Sequence, residues 1–179
     1  MTGTGHRLST FSIVLGTTSS PFAAILSLFG STFPDSSEYI IFGKRRNRYH
    51  RRWTHWFIPW AFLAYICFQR SGWIVPKIST LIDGKNAHFD VWSCVGFWFT
   101  GCVLHILEDA WCGTVPFLRP WKRDIGFHVF HMSKKFGEMS RGEKNFVWCC
   151  ILIGIIAFLV RTYTIEDFVR IITEFMKNI

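Results

Sequence analysis

The chain has 179 residues, a net charge of +8, half of its residues hydrophobic and only 18% charged, where ordinary soluble domains carry nearer a quarter. With 19 Phe, 9 Trp and a mean hydropathy of +0.24, the composition argues against a soluble domain and for a single membrane-embedded domain over 1–179. Six of the 20 Lys/Arg lie between Lys44 and Arg52 and seven between Arg119 and Lys144; blocks beside apolar runs are topology signals that also meet lipid phosphates, so nucleic acid ranks last among the partners.

In chain order, the first apolar stretch covers residues 8–34 without a charge. Its middle, GTTSSP (16–21), is a poor centre for a lipid-facing helix and a good turn, with Pro21 suited to the first turn of a second helix. The stretch reads as a single tilted span or as a hairpin of two short helices, 7–16 and 21–32, entering and leaving on one side. A secretory signal peptide is the weakest alternative, since no convincing cleavage site precedes Pro34. Three further runs, 53–69, 91–107 and 145–160, are each at the short end of a bilayer-spanning helix. The expected fold is therefore all-α, an integral membrane bundle of three spanning helices plus the N-terminal hairpin or fourth span. The tail, 164–179, sets Phe168, Ile171, Ile172, Phe175 and Ile179 at helical spacing. It is an amphipathic helix for the membrane interface or a protein partner.

With three spans, loops 35–52 and 108–144 share a side and hold 13 of the 20 Lys/Arg, while 70–90 lies opposite with three. The asymmetry places both basic loops in the cytoplasm of a multi-pass protein.

On that side lie most of the residues with chemistry to offer. In LHILEDAW (104–111), His105 and Asp109 are four apart and project from one helix face, a good ligand pair for Zn²⁺ or another divalent ion; the plainer reading is a helix-end ion pair. In FPDSSE (33–38), Asp35 and Glu38 follow the first stretch, and the turn could simply cap a helix with Ser36 or Asp35. In RYHRRWTHW (48–56), His50 and His55 are five apart, about 140° round an ideal helix. They converge only if a helix starts near Thr54, and otherwise belong to a snorkelling basic belt. His6 joins the group only if residues 8–34 form a hairpin. As comparable candidates the opposite loop offers His88 and Asp90. The six cysteines lack CxxC spacing and read as buried free thiols.

Taken together, His6, Pro34-Asp35, the run from His50 to His55, His105 with Asp109, and VPFLRPW (115–121) form a pattern that resembles the YdjM-type family of inner-membrane metal-dependent hydrolases, over roughly residues 6–145. That family in turn is similar to the zinc-dependent phospholipase C and single-strand nuclease superfamily. The resemblance implies that Asp35, His50, His105 and Asp109 hold one metal and that His6 with Asp109 helps hold a second. His55 matches the family's second histidine. The chain departs from the pattern at Ser37, where a second acid is frequent, at Arg52 and Trp56, at Cys112 in place of Thr, and in a segment one residue shorter before Val115. His128 and His131 match a third metal site poorly, so one or two ions are expected.

The leading expectation is a metallohydrolase for a phosphate ester at the cytoplasmic face, with a phospholipid or lipid-linked phosphate as the expected substrate. Zn²⁺ would activate water, Asp35 or Glu38 would accept its proton, and Arg51, Arg52 or Arg119 would pair with phosphate unless they serve only as topology anchors. The rival is a non-catalytic scaffold or sensor with a structural metal site.

Overall fold

The computed structural model describes residues 1–43, 51–75, 90–123, 125–131 and 137–163, together with 170, 173, 174 and 176. Within them the chain is helical: α1 (Gly3–Thr18), α2 (Pro21–Gly30), α3 (Phe33–Phe42), a 3₁₀ turn (Trp53–His55), α4 (Phe57–Ser71), α5 (Val91–Cys112) and α6 (Arg141–Thr162). There is no strand among the described residues, only an antiparallel bridge between Val115 and Ile125.

The GTTSSP segment makes the turn that its composition suggests. Ser19 adopts the left-handed conformation (φ 54°) and its N–H closes on Leu15 O, while the Ser20 hydroxyl caps α2 by accepting from Ala23 N, with Pro21 at the first helical position. Helices α1 and α2 pack on each other as a hairpin. The chain thus enters near Thr2 and returns to the same end by Asp35, which is the condition for His6 to join the other candidates.

Two described helices are long and apolar enough to cross a membrane, α5 and α6. At 22 residues each they measure about 33 Å, against a hydrocarbon core of about 30 Å. Helix α6 starts four residues ahead of its apolar run because Ser140 caps it there, whereas α5 starts with its run, capped by Asp90, and overruns it at the other end, to Cys112. The Asp90 carboxylate accepts from Trp92 N and Ser93 N, and the Ser140 hydroxyl accepts from Glu143 N. Helix α4 begins at Phe57, later than the run at Trp53, and its 15 residues make only about 22 Å.

The bundle is held by close backbone approaches. Gly30 of α2 and Gly101 of α5 face each other's helix so tightly that a methyl on Gly101 would meet the Ser27 carbonyl, and one on Gly30 the Trp98 carbonyl. The Ser27 hydroxyl donates to Phe97 O at 2.7 Å and Cys102 Sγ to Gly30 O at 3.3 Å. Small residues at the crossing and polar side chains bridging it are the packing mode of membrane helices, where lipid removes the hydrophobic drive for association. Around this crossing, Val14, Ala23, Ala24 and Phe97 form a buried cluster. Conversely, Trp148, Leu152, Ile153, Ile155, Ile156 and Val160 of α6 are exposed, as are Ile58, Phe62 and Leu63 of α4. All six cysteines are free, but Cys149 is exposed and Cys150 half-buried on α6, unlike the buried Cys67, Cys94, Cys102 and Cys112. The expectation of six buried thiols fails at that pair because α6 presents most of its circumference outward.

Of the amphipathic helix expected over 164–179, residues 170, 173, 174 and 176 are helical and the rest lie outside the described residues.

Candidate metal centre

Four elements bring polar side chains to one end of the bundle. The C-terminal turns of α5 supply His105, Glu108 and Asp109, all buried. The first turn of α1 supplies His6, the first turn of α3 supplies Asp35, and the 3₁₀ turn supplies His55. The loop after α5 folds back along it: Phe127 N donates to Ala110 O and Val129 N to Trp111 O, so the free carbonyls of the helix end find partners. Pro116 O, in VPFLRPW, receives Phe57 N at 3.2 Å. Ile106, Ala110 and Val115 pack with Phe57 and Trp60 beneath the cluster.

Two groups of ligand atoms result, each mutually within 4.8 Å: His6, His105 and Asp109; and Asp35, His55 and His105. In the second, the Nε2 atoms of His55 and His105 face each other at 3.2 Å, and Asp35 Oδ1 lies 3.5 Å from His55 Nε2. Asp109 Oδ2 stands 3.7 Å from His55 Nε2 and 4.0 Å from His105 Nε2. Ligands at 2.0–2.1 Å in a tetrahedron are about 3.3 Å apart, so the imidazoles are at ligand spacing and the carboxylates slightly beyond it. In the first group His6 Nε2 is 3.3 Å from Asp109 Oδ1, and the His6 and His105 rings stack at 3.8 Å. Neutral imidazoles opposed through nitrogen need a proton between them or a cation that takes both lone pairs. His6 Nε2 and His105 Nδ1 are buried with no hydrogen-bond partner among the described residues, a cost that a bound cation would relieve at His6. The donor set of nitrogen and carboxylate oxygen suits Zn²⁺; on these observations, the residues fit a divalent ion.

The remaining contacts hold the ligands in place. Thr54 Oγ1 lies 3.0 Å from His55 Nδ1, leaving Nε2 for the cluster, and Trp60 Nε1 donates to Thr54 O. His6 Nδ1 lies 2.7 Å from Glu108 Oε2. Arg51, in a left-handed conformation (φ 56°), is buried and forks onto Asp109, Nη2 to Oδ1 and Nε to Oδ2, each at 2.9 Å. Its guanidinium lies over Gly113, where a Cβ would collide with it. Its backbone N–H donates to Glu38 Oε1 at 3.0 Å. Cys112 Sγ is 3.6 Å from Arg51 Nη2, and the backbone nitrogen of Met1 is 2.5 Å from Asp109 Oδ1. Burial works against the charge on Arg51, but Asp109 beside it outweighs that and raises its pKa. Burial likewise opposes ionisation of Asp35, yet the hydrogen bond to His55 and the proximity of His105 hold its carboxyl below the usual range.

Several sequence expectations change here. His55, ranked below His50, is fully buried within the cluster, while His50 lies outside the described residues. Asp35 does not cap α3: the cap position is Thr32, with no side-chain cap bond, and Asp35 sits in the first turn. Glu38 is buried against the Arg51 backbone and belongs to neither ligand group. Arg51 points inward to Asp109, so it is neither an exposed topology anchor nor free to meet phosphate in this arrangement. Arg52 and Arg119 are exposed. Asp90 caps the opposite end of α5, His88 lies outside the described residues, and His128 and His131 are exposed and in neither group. Glu108 was missed. The helix was read as far as Asp109, but only the packing of α1 on α5 shows Glu108 turned inward, onto His6 and Thr10. Glu143 was missed as well: it is buried at the start of α6 and accepts from Thr2 N and Thr2 Oγ1, tying that end to α1.

The sequence profile of the YdjM inner membrane protein family matches residues 1–168. No curated protein and no solved structure matches the chain.

Proposed function

The chain belongs to the YdjM inner membrane protein family, and from that premise we propose that it is a metal-dependent hydrolase acting on a phosphate ester at the cytoplasmic membrane face. The observation that carries this reading is the convergence of two ligand groups on His105, from four separate elements, in a buried position. Buried ionisable groups at the end of a spanning helix are costly and are kept for function. Asp35, His55 and His105 would hold one ion, with Asp109 reaching towards it. His6 and Asp109 would hold a second beside His105. When bound, Zn²⁺ supplies a water of lowered pKa and positive charge for phosphoryl oxygens.

The chain's own residues do the rest. Asp35, partly open and kept ionised, is placed to take a proton from a water on the exposed side of the site. Arg51 would serve the reaction through Asp109, by holding that carboxylate in one orientation. Arg52 and Arg119 remain the arginines placed to meet phosphate. A site at the end of the spanning helices lies at headgroup depth, which favours a phospholipid or lipid-linked phosphate as substrate. In this reading α4 crosses with α5 and α6, tilted or in a locally thinned bilayer, and the basic loops stay cytoplasmic.

The test is hydrolysis by the purified, metal-analysed protein. Zinc-loaded wild type should release product from a phosphodiester or phosphomonoester lipid, and His105→Ala should abolish both metal content and turnover. If the loaded protein cleaves neither lipid class and the His105→Ala chain still functions in cells, the enzyme reading is wrong.

One observation favours a second reading. The Arg51–Asp109 fork already neutralises Asp109 and ties α5 to the segment just before the 3₁₀ turn without any ion. A non-catalytic scaffold or sensor would use the cluster as a polar staple, with the tail meeting a protein partner. In that case His105→Ala would reduce stability while leaving no lipid turnover to lose.

A further inference from the structure

Glu108 belongs to neither ligand group, yet it is among the most buried charged side chains, 2% exposed on a helix apolar enough to span the membrane. A carboxyl there is expensive unless its oxygens are engaged. Both are, and both by α1: Oε2 lies 2.7 Å from His6 Nδ1, and Oε1 accepts from Thr10 Oγ1 at 3.0 Å. His6 and Thr10 are four apart, so they reach Glu108 from one helix face. The carboxylate is thus fixed between a ring nitrogen and a hydroxyl of the same helix.

An imidazole that donates from Nδ1 to a carboxylate keeps its lone pair on Nε2. For His6, Nε2 is the atom 3.3 Å from Asp109 Oδ1, and it has no hydrogen-bond partner among the described residues. The stacked His105 ring fixes the plane of His6 from one side. Glu108 sets its rotation.

From this geometry we propose that Glu108 is a positioning residue that makes the cluster a two-ion centre. It presents His6 Nε2 beside Asp109 as a second cation site, next to the one formed by Asp35, His55 and His105. The inference rests on the metal reading above, but it assigns a distinct role. Carboxylates that hold a ligating histidine commonly change metal affinity 10–100-fold when removed. The competing explanation is a plain ion pair between α1 and α5. The two differ sharply for Glu108→Leu, because an apolar residue suits the interior of a membrane helix.

The experiment uses the full chain purified in detergent, with zinc alone as the probe, read by metal analysis, chelator competition and thermal unfolding. Wild type should hold two ions per chain. Glu108→Leu should hold one while melting within a few degrees of metal-free wild type. Glu108→Gln, whose amide oxygen still accepts from Nδ1, should hold two, with the second bound roughly 10–100-fold more weakly. His55→Ala should instead weaken the other ion. Wild type binding a single ion overturns the inference and leaves the metal reading standing; wild type binding none overturns both. If Glu108→Leu keeps two ions at wild-type affinity, or a folded Glu108→Gln binds the second ion within twofold of wild type, the positioning role is refuted.

Discussion

Asp109 is the residue on which most of the site's charge converges: Arg51 forks onto it, His6 approaches one oxygen, and His55 and His105 approach the other. Removing Arg51 strips the two-point fork from a buried carboxylate that Met1 N and His6 still contact, so the loss should stay below the about 3–5 kcal/mol of a fully orphaned buried charge. Arg51→Ala should therefore melt well below wild type in chelator and recover part of the loss on adding zinc; equal melting with and without zinc would count against a cation site beside Asp109. Asp35 carries the pH prediction. Its folded pKa lies below the unfolded value, so its contribution is fully present above about pH 4 and is lost as pH falls further. In chelator, Asp35→Asn should thus melt below wild type near neutral pH, with the gap closing as pH falls below about 4, as unfolding curves across pH would show. In sequence, His105 and Asp109 were legible because four-residue spacing on a helix is unambiguous. His55 was undervalued because the family resemblance assigned a ligand role to His50 and none to His55, whereas the 3₁₀ turn with Thr54 at its centre aims the His55 ring inward. Glu108 was passed over although the helix was read through to Asp109, because its partners His6 and Thr10 lie on α1, about a hundred residues away, where no local spacing displays them.

Helix identity was readable from apolar runs and turn chemistry, while helix extent was not. Capping by Ser140 starts α6 ahead of its hydrophobic segment, the returning loop that pairs with Ala110 O and Trp111 O lets α5 run on to Cys112, and the turn at 53–55 delays α4. GTTSSP marked the hairpin without deciding between it and a tilted span; the choice depends on a partner surface that no local pattern displays. That surface is the α2–α5 crossing. Gly101→Val should force the helices apart at Ser27 and cost about 1–3 kcal/mol, read as a lower melting temperature in detergent. A substitution that melts like wild type would mean the helices do not approach this closely.

For the molecule as a whole, the family assignment and two long apolar helices support a membrane protein, and the outward faces of α4 and α6 are what lipid would cover. Sidedness is open to a direct check. In a background with the native cysteines replaced, Lys122→Cys should react with an impermeant thiol reagent only from the cytoplasmic side, and Gly72→Cys only from the opposite side. Labelling of both from one side would reverse the three-span arrangement.

The pairing of His6 with Glu108 also has a consequence in time. The partners are 102 residues apart, and at roughly 5–20 residues per second a ribosome needs about 5–20 s to deliver the second after the first. For that interval the N-terminal hairpin must wait at the membrane with a histidine that has nothing to hold. The last turn of α5 is therefore the point in synthesis at which His6, His105, Glu108 and Asp109 can first come together.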